Sequence, residues 1–322
     1  MRVSLLQRLL LLTLLLVISS CASVKNITSG GGALRAEDWV SYDGKTMPWK
    51  AWPVPAGTKP HGVVIAVHGL SGAKSDFWYL GEQLPLRGYT VYSYDLRGQG
   101  NDPVVSERGD IQSAKTWQKD LATFHALIRR RHPRTPVFWY GESLGSLIAL
   151  HTAADLLGNW SDPDGIILAS PVAGLRMTLT GFQRFVLETA ARLSPRSRYT
   201  LGELAGVDES KIQVTSHSTH GGQMAVTPHR VSAFSLRLLS AVGGMLDANT
   251  ESAHRLKMPV LFVASPNDVM SSADQIQSLF AQMRSRDKKL LWYTRSYHLL
   301  LHDVQRQEVV HDVTRWLDRH LE

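Results

Sequence analysis

Short apolar runs closed by turn-forming residues recur along the chain at Val63–Val67, Thr90–Tyr94, Val137–Tyr140, Gly165–Ala169, Val260–Ala264 and Leu290–Thr294. Between them, apolar residues fall at helical spacing in Ser75–Arg87, Thr116–Arg131, Leu144–Leu157, Ser272–Arg284 and Val304–His320. Strands rich in Val, Ile and aromatics that alternate with amphipathic helices predict an α/β fold. Its sheet should be mostly parallel, joined by right-handed crossovers and covered by helices on both faces. Asp38–Trp52 alternates apolar and polar positions about Asp43-Gly44, which predicts a short antiparallel hairpin at the sheet edge. Ligands of such sheets bind beyond the carboxyl ends of the strands.

One interval breaks the alternation. From Pro171 to His254 no strand pattern is evident, whereas Phe182–Leu193 and Val231–Leu246 have helical spacing and the stretch between them is rich in Ser, Thr, His and Gly. An insertion there, between two core strands, is placed to act as a helical cap or lid over a site. The expected organisation is a core in two parts, residues 36–170 and 255–322, interrupted by a cap at 171–254. Five arginines in that insertion (Arg176, Arg184, Arg192, Arg196, Arg198) read as a solvated helix face, with an anionic headgroup as the alternative occupant. Trp139 and Trp160 read as core aromatics.

The amino terminus carries a different signal. Arg2 and Arg8 precede an apolar stretch from Leu9 to Ile18 and the small residues Ser19 and Ser20, which is the pattern of a secretory signal over residues 1–20. Ile18-Ser19-Ser20-Cys21 resembles the bacterial lipobox, in which the cysteine is acylated and becomes the mature N-terminus. Cys21 is the single cysteine of the chain, so no intrachain disulfide can form. A free thiol in an oxidising compartment is a liability, whereas several acyl chains anchor a protein stably. Residues 21–35, rich in Ser, Thr, Asn and Gly, read as a flexible tether. The expected location is the bacterial envelope, lipid-anchored at Cys21 on the outer membrane and facing the periplasm. Composition agrees with a globular enzyme-sized chain: 322 residues, 43% hydrophobic and 20% charged. The net charge of +7 suits anionic membranes or substrates, and the absence of a concentrated basic stripe excludes nucleic acid as the expected partner.

The chemistry-bearing stretch is Val137–Gly145, where an apolar run ends at Gly141 and Ser143 stands alone before Gly145 and a second apolar run. This is the strand–turn–helix pattern Gly-x-Ser-x-Gly, which lifts a serine hydroxyl clear of a sheet. A serine is a poor nucleophile without a base and an acid to orient that base. Asp268 follows the strand Val260–Ala264 and His298 follows the strand Leu290–Thr294, so the order Ser143, Asp268, His298 places all three beyond strand ends. His302 is a rival base, and Asp303 and Asp274 are rival acids with ordinary helix-capping readings. An oxyanion hole needs two backbone N–H groups. Leu144 supplies one and Leu70, in the loop His68-Gly69-Leu70-Ser71-Gly72 after the first parallel strand, the other. Asp95 and Arg97 are assigned to loop structure.

These residues, together with Gly88-Tyr89-Thr90-Val91-Tyr92, Asp95-Leu96-Arg97-Gly98-Gln99-Gly100 and Tyr297-His298, resemble the monoacylglycerol lipase and lysophospholipase branch of the α/β-hydrolases, also called serine aminopeptidase-like. The resemblance runs from His61 to the C-terminus outside the insertion. Gln99 stands where that family usually has His, and Glu142 and Leu144 flank the serine where His and Met are frequent. The resemblance implies a cap over an acyl-binding tunnel and hydrolysis of a lipid or small ester by Ser143, His298 and Asp268, with no cofactor and no metal. Thioester or peptide-amine hydrolysis on the same residues, or a non-catalytic envelope module, are the alternatives. If Cys21 is the anchor, Cys21→Ser expressed in a bacterial host should lose palmitate incorporation and move from the membrane to the soluble fraction. Unchanged labelling and fractionation of the variant would remove the anchor.

Overall fold

A computed structural model describes residues 32–156, 162–176, 181–205 and 208–321. The signal segment, Cys21 and Trp160 lie outside the described residues. Among the described residues, nine strands form one sheet. They are β1 (Ala33–Leu34), β2 (Asp38–Val40), β3 (Thr46–Trp52), β4 (Gly62–Val67), β5 (Tyr89–Tyr94), β6 (Val137–Glu142), β7 (Gly165–Ala169), β8 (Val260–Ala264) and β9 (Lys288–Trp292). Their spatial order is β1-β2-β3-β5-β4-β6-β7-β8-β9. The first three strands form an antiparallel edge that joins β5, and every neighbour from β5 to β9 is parallel.

This is the expected α/β architecture, and its order positions the site. The chain leaves β4 for β5 on one side and returns to β6 on the other. The strand order reverses between β4 and β6, and a crevice opens there at the carboxyl ends. Burial explains why the strands read as unbroken apolar runs. All six residues of β4 are buried, with Val63, Ile65 and Val67 in one core and Val64 and Ala66 in the other. The first core is closed by helices α2 (Ala114–Arg131) and α3 (Leu144–Leu156), through Trp117, Leu121 and Ile148. The second is closed by α1 (Trp78–Gln83) and α10 (Arg306–Asp318), through Leu80, Val313 and Trp316. Among the described residues the α-helices are α1 (Trp78–Gln83), α2 (Ala114–Arg131), α3 (Leu144–Leu156), α4 (Gly181–Leu193), α5 (Leu201–Ala205), α6 (His220–Val226), α7 (Leu236–Asp247), α8 (Asn249–Arg255), α9 (Ala273–Gln282) and α10 (Arg306–Asp318).

Local deviations from the expected elements have local causes. Ala33 and Leu34, expected in the tether, pair with Val40 and Trp39 instead, because Leu34 packs onto the first core. The expected helix 75–87 breaks into two 3-10 turns around α1, since Pro85 lacks an N–H and Gly88 turns left-handed at φ 87°. Strand β9 begins two residues early. Its register against β8 pairs Val260 with Lys288, and the Lys288 ammonium caps the carbonyls of Phe280, Ala281 and Met283 behind α9.

The segment between β7 and β8 carries α4 to α8. It also holds two short antiparallel ladders, Gln213–Thr215 with Ser218–Thr219 and Arg198–Tyr199 with Phe234–Ser235. Strands of two or three residues are too short to register as alternation, which is why the interval read as strandless. Asp95 and Arg97 do hold loops, each with its own partners. Asp95 takes the backbone and side-chain N–H groups of Lys74 at 2.8 and 2.7 Å, whereas Arg97 forks onto Asp43 and Asp120. Arg198 donates to the carbonyls of Arg108 and Ser106, so it serves the junction of insertion and core.

Candidate active site

Strand β6 ends at Glu142 and α3 begins at Leu144, leaving one residue to make the turn. That residue, Ser143, has φ 55°, in the left-handed region that non-glycine residues seldom occupy. The surrounding backbone enforces it. Its N–H donates to the Ala169 carbonyl at the end of β7 (3.0 Å), and the Ser146 N–H and hydroxyl both return to the Ser143 carbonyl. The flanking glycines allow the crossing. A methyl on Gly145 would stand 1.9 Å from the Val67 carbonyl oxygen, and one on Gly141 would stand 2.4 Å from that of Gly145. Held this way, the serine hydroxyl projects over the β4–β6 crevice.

His298 meets it there. The imidazole Nε2 lies 2.9 Å from Ser143 Oγ and Nδ1 lies 2.8 Å from Asp268 Oδ2, while the other Asp268 oxygen accepts the N–H groups of Met270 and Ser271. A carboxylate at Nδ1 assigns that nitrogen as the donor and leaves Nε2 to accept the serine proton. Opposing effects set the charges. Burial pushes His298 down, but the charge and hydrogen bond of Asp268, with a smaller contribution from Glu142, raise it above the ordinary histidine value. Burial pushes Asp268 up, and the His298 interaction with the two backbone donors overcomes it, so the carboxyl stays below its usual value.

The loop after β4 lies against the serine, since a methyl on Gly69 would sit 3.1 Å from Ser143 Cβ. His68, fully buried, donates from Nδ1 to the Gly69 carbonyl and accepts the Leu96 N–H on Nε2, an arrangement for a neutral ring whose protonation burial disfavours. Ser71, also left-handed at φ 61°, donates its N–H to Gln99 Oε1 at 2.7 Å. Its hydroxyl exchanges two hydrogen bonds with the Val231 backbone. Between these ties, the N–H of Leu70 forms no hydrogen bond among the described residues, and neither does that of Leu144. Both N–H groups belong to residues in the segments flanking Ser143, and unpaired backbone donors of this kind are what an oxyanion requires.

Comparison with known proteins fixes the lineage. A family model described as serine aminopeptidase, S33, matches residues 58–305. The chain belongs to that family. The monoglyceride lipase of Mus musculus is 24% identical over 293 residues, covering 88% of this chain and 90% of its own. The phospholipase YtpA of Bacillus subtilis is 23% identical, covering 85% of this chain and 99% of its own. A soluble variant of the monoglyceride lipase of Saccharomyces cerevisiae, solved with a substrate analogue, superposes with a TM-score of 0.75 at 21% identity over 93% of this chain and 99% of that one. The fold is the α/β-hydrolase fold.

Within this S33 hydrolase the rival residues have other tasks. His302 ends a 3-10 turn beside Asp76, and Asp274 is exposed in the first turn of α9. Asp303 holds the His298 loop to the insertion, accepting from the Tyr297 and Ser216 N–H groups. Three further residues fix the loops, and the sequence pointed to none of them in that role. Ser170, at φ 42°, donates to the His298 carbonyl, Ser265 donates to the Ser296 carbonyl, and Arg176 donates to the Asp268 carbonyl at 2.7 Å. A serine directly after an apolar run was the one signal for the first two. Arg176, read from the sequence as part of a solvated helix face, instead braces the Asp268 loop. A cavity of about 180 Å³ lies in the insertion among Leu201, Glu209, His220, Met224, Val231 and Phe234, and Met224 Sδ accepts from Ser71 Oγ at 3.4 Å. Among the described residues no cluster of three or more His, Cys, Asp or Glu could hold a metal ion.

Because Asp268 is the main group raising His298, Asp268→Asn should lower the His298 titration midpoint, read by ¹⁵N NMR of the ring nitrogens. An unchanged midpoint would contradict the electrostatic assignment.

Proposed function

We propose that the protein hydrolyses lipid esters, monoacylglycerols or lysophospholipids, through an acyl-enzyme on Ser143. It is a carboxylic ester hydrolase, and the finer reading rests on one observation above all: the unbroken hydrogen-bond chain Ser143–His298–Asp268, at 2.9 and 2.8 Å. Ser143 Oγ attacks the ester carbonyl as its proton passes to His298 Nε2. Asp268 keeps the ring in the required tautomer and stabilises the imidazolium. The N–H groups of Leu70 and Leu144 take the negative charge on the former carbonyl oxygen, and its collapse expels the alcohol with the proton from His298. Water then attacks the acyl-enzyme carbonyl as its proton passes to His298 Nε2, and collapse of the second tetrahedral intermediate breaks the bond to Ser143 Oγ, which takes the proton back as the carboxylic acid leaves.

Lipid as the substrate is supported by the relatives, which include monoglyceride lipases and a phospholipase, and by the expected anchor at Cys21, which would hold the chain at a bilayer. Peptide-amine hydrolysis is the second reading, favoured by the description of the matching family.

One panel separates them. Monooleoylglycerol, lysophosphatidylcholine, p-nitrophenyl acetate and an aminoacyl anilide are offered in detergent to wild type and Ser143→Ala, each also treated with a fluorophosphonate probe. Wild type should take the label at Ser143 and turn over a lipid fastest, with kcat/KM rising with pH through a midpoint above the ordinary histidine value of 6.5, because a raised His298 must lose its proton before acting. Ser143→Ala should lose the label and about 10⁴-fold or more in kcat. Labelling that survives in the variant refutes the nucleophile. Preference for the anilide, or for the short ester with no lipid turnover, refutes the substrate.

A further inference from the structure

The proposed mechanism leaves one buried carboxyl beside the reacting groups unused. Glu142 immediately precedes Ser143 and is 3% exposed. Along β6, Val137 and Trp139 enter one core whereas Phe138 and Tyr140 enter the other, so alternation turns Glu142 to the second face. That face is roofed by Phe77, Leu300 and Leu301, from the turn after β4 and the segment following His298. Glu142 Oε1 is fully occluded and has no hydrogen-bond partner, an expensive arrangement for a carboxylate.

Its surroundings show where the charge acts. From the loop after β9, His298 faces it with opposite charge, and from the turn after β4, Asp76 faces it with like charge. On its own strand Tyr140 lies alongside with an unpartnered hydroxyl. Asp76 is itself held by the Ala73 N–H at 2.8 Å and by His229 Nε2 at 3.4 Å, and it lies beside His68 and His302. Asp76 therefore has its own hydrogen-bond partners. The positive charge that answers Glu142 is the one that develops on His298.

We propose that Glu142 is a positioning residue for His298, whose ionised carboxyl stabilises the imidazolium formed while the serine proton is in transit. The inference rests on the Ser143–His298–Asp268 reading above. Asp268 serves the same imidazolium by direct contact at Nδ1, and Glu142 serves it through space from beneath the elbow. A residue with that task has to be buried to escape screening, and must remain unpaired so that no permanent cation spends its charge. Burial has a second consequence. It pushes the Glu142 carboxyl up to about 7, against the opposing pull of His298, so its ionisation falls in the range where the enzyme works.

The test measures kcat and kcat/KM for p-nitrophenyl butyrate from pH 5 to 9 in wild type, Glu142→Gln and Glu142→Asp, with Ser143→Ala as the control. Removing the negative charge makes His298 easier to deprotonate and a weaker base. Glu142→Gln should shift the acid limb of kcat/KM to lower pH by about half a unit or more and lower plateau kcat about fivefold or more. Glu142→Asp, which keeps the charge, should restore the limb toward wild type. The fold gives an independent reading. A folded-state value raised from 4.5 to about 7 stabilises the protein at low pH, and this advantage is lost as pH rises through that window. The neutral glutamine does not lose it, so the Tm of Glu142→Gln relative to wild type should increase between those pH values. Overlaid pH profiles of wild type and Glu142→Gln, with Ser143→Ala inactive, overturn the proposal and leave the triad standing. An active Ser143→Ala overturns the triad instead. Should Glu142→Gln fail to fold, the His298 ring nitrogens of wild type decide by ¹⁵N NMR: titration in two coupled steps supports the proposal and a single step overturns it.

Discussion

Everything at this site depends on one contact between backbones, the passage of Gly145 across the carbonyl of Val67. With no side chain at Gly145, helix α3 starts almost in contact with the end of β4, and the one-residue turn at Ser143 is forced into the left-handed region. The strain is held from three directions: by Ala169 on β7, by Ser146 within α3 and by the crossing itself. A lone serine with φ 55° would relax in a free loop, and here relaxation would require β4, β6 and β7 to move together. The central parallel sheet, buried on both faces, is what makes that motion costly.

The same rigid edge sets the electrostatics. His298 and Asp268 follow the last two parallel strands, β9 and β8, and side chains that donate to backbone carbonyls lock their loops: Ser170 under His298, Ser265 under Ser296, and Arg176 on Asp268. Burial alone would lower His298 and raise Asp268, the wrong direction for a base paired with a carboxylate. Direct contact between the two reverses both, which is possible because the loops hold them 2.8 Å apart. Glu142 lacks such a partner, and burial wins there.

The sequence made the sheet legible where strands are buried on both faces, because β4, β6, β7 and β8 then read as uninterrupted apolar runs. It was less legible where ends are set by partners. Strand β9 was displaced by its register with β8, and α1 was cut short by Pro85 and Gly88. Ser143, Asp268 and His298 could be picked out because an acid and a base beyond late strand ends are a positional pattern. Ser71, Gln99, Ser170 and Ser265 could not, since each acts through a hydrogen bond to a residue distant in the chain, and polar residues in loops are too common to signal such a bond. Gln99 shows the limit. Against the family pattern it was merely a departure, and in the fold it anchors Ser71 beside the oxyanion loop.

The insertion reaches that loop as well, through Val231 and Met224, two residues lining its cavity that hydrogen-bond to Ser71. One structure reads the proposed nucleophile and the proposed oxyanion donors together. The decisive measurement is a crystal structure after reaction with a long-chain alkyl fluorophosphonate. The mechanism predicts phosphorus bonded to Ser143 Oγ and a phosphonyl oxygen about 2.7–3.1 Å from the backbone nitrogens of both Leu70 and Leu144. An adduct on another side chain, or a phosphonyl oxygen that meets neither N–H group, would contradict it.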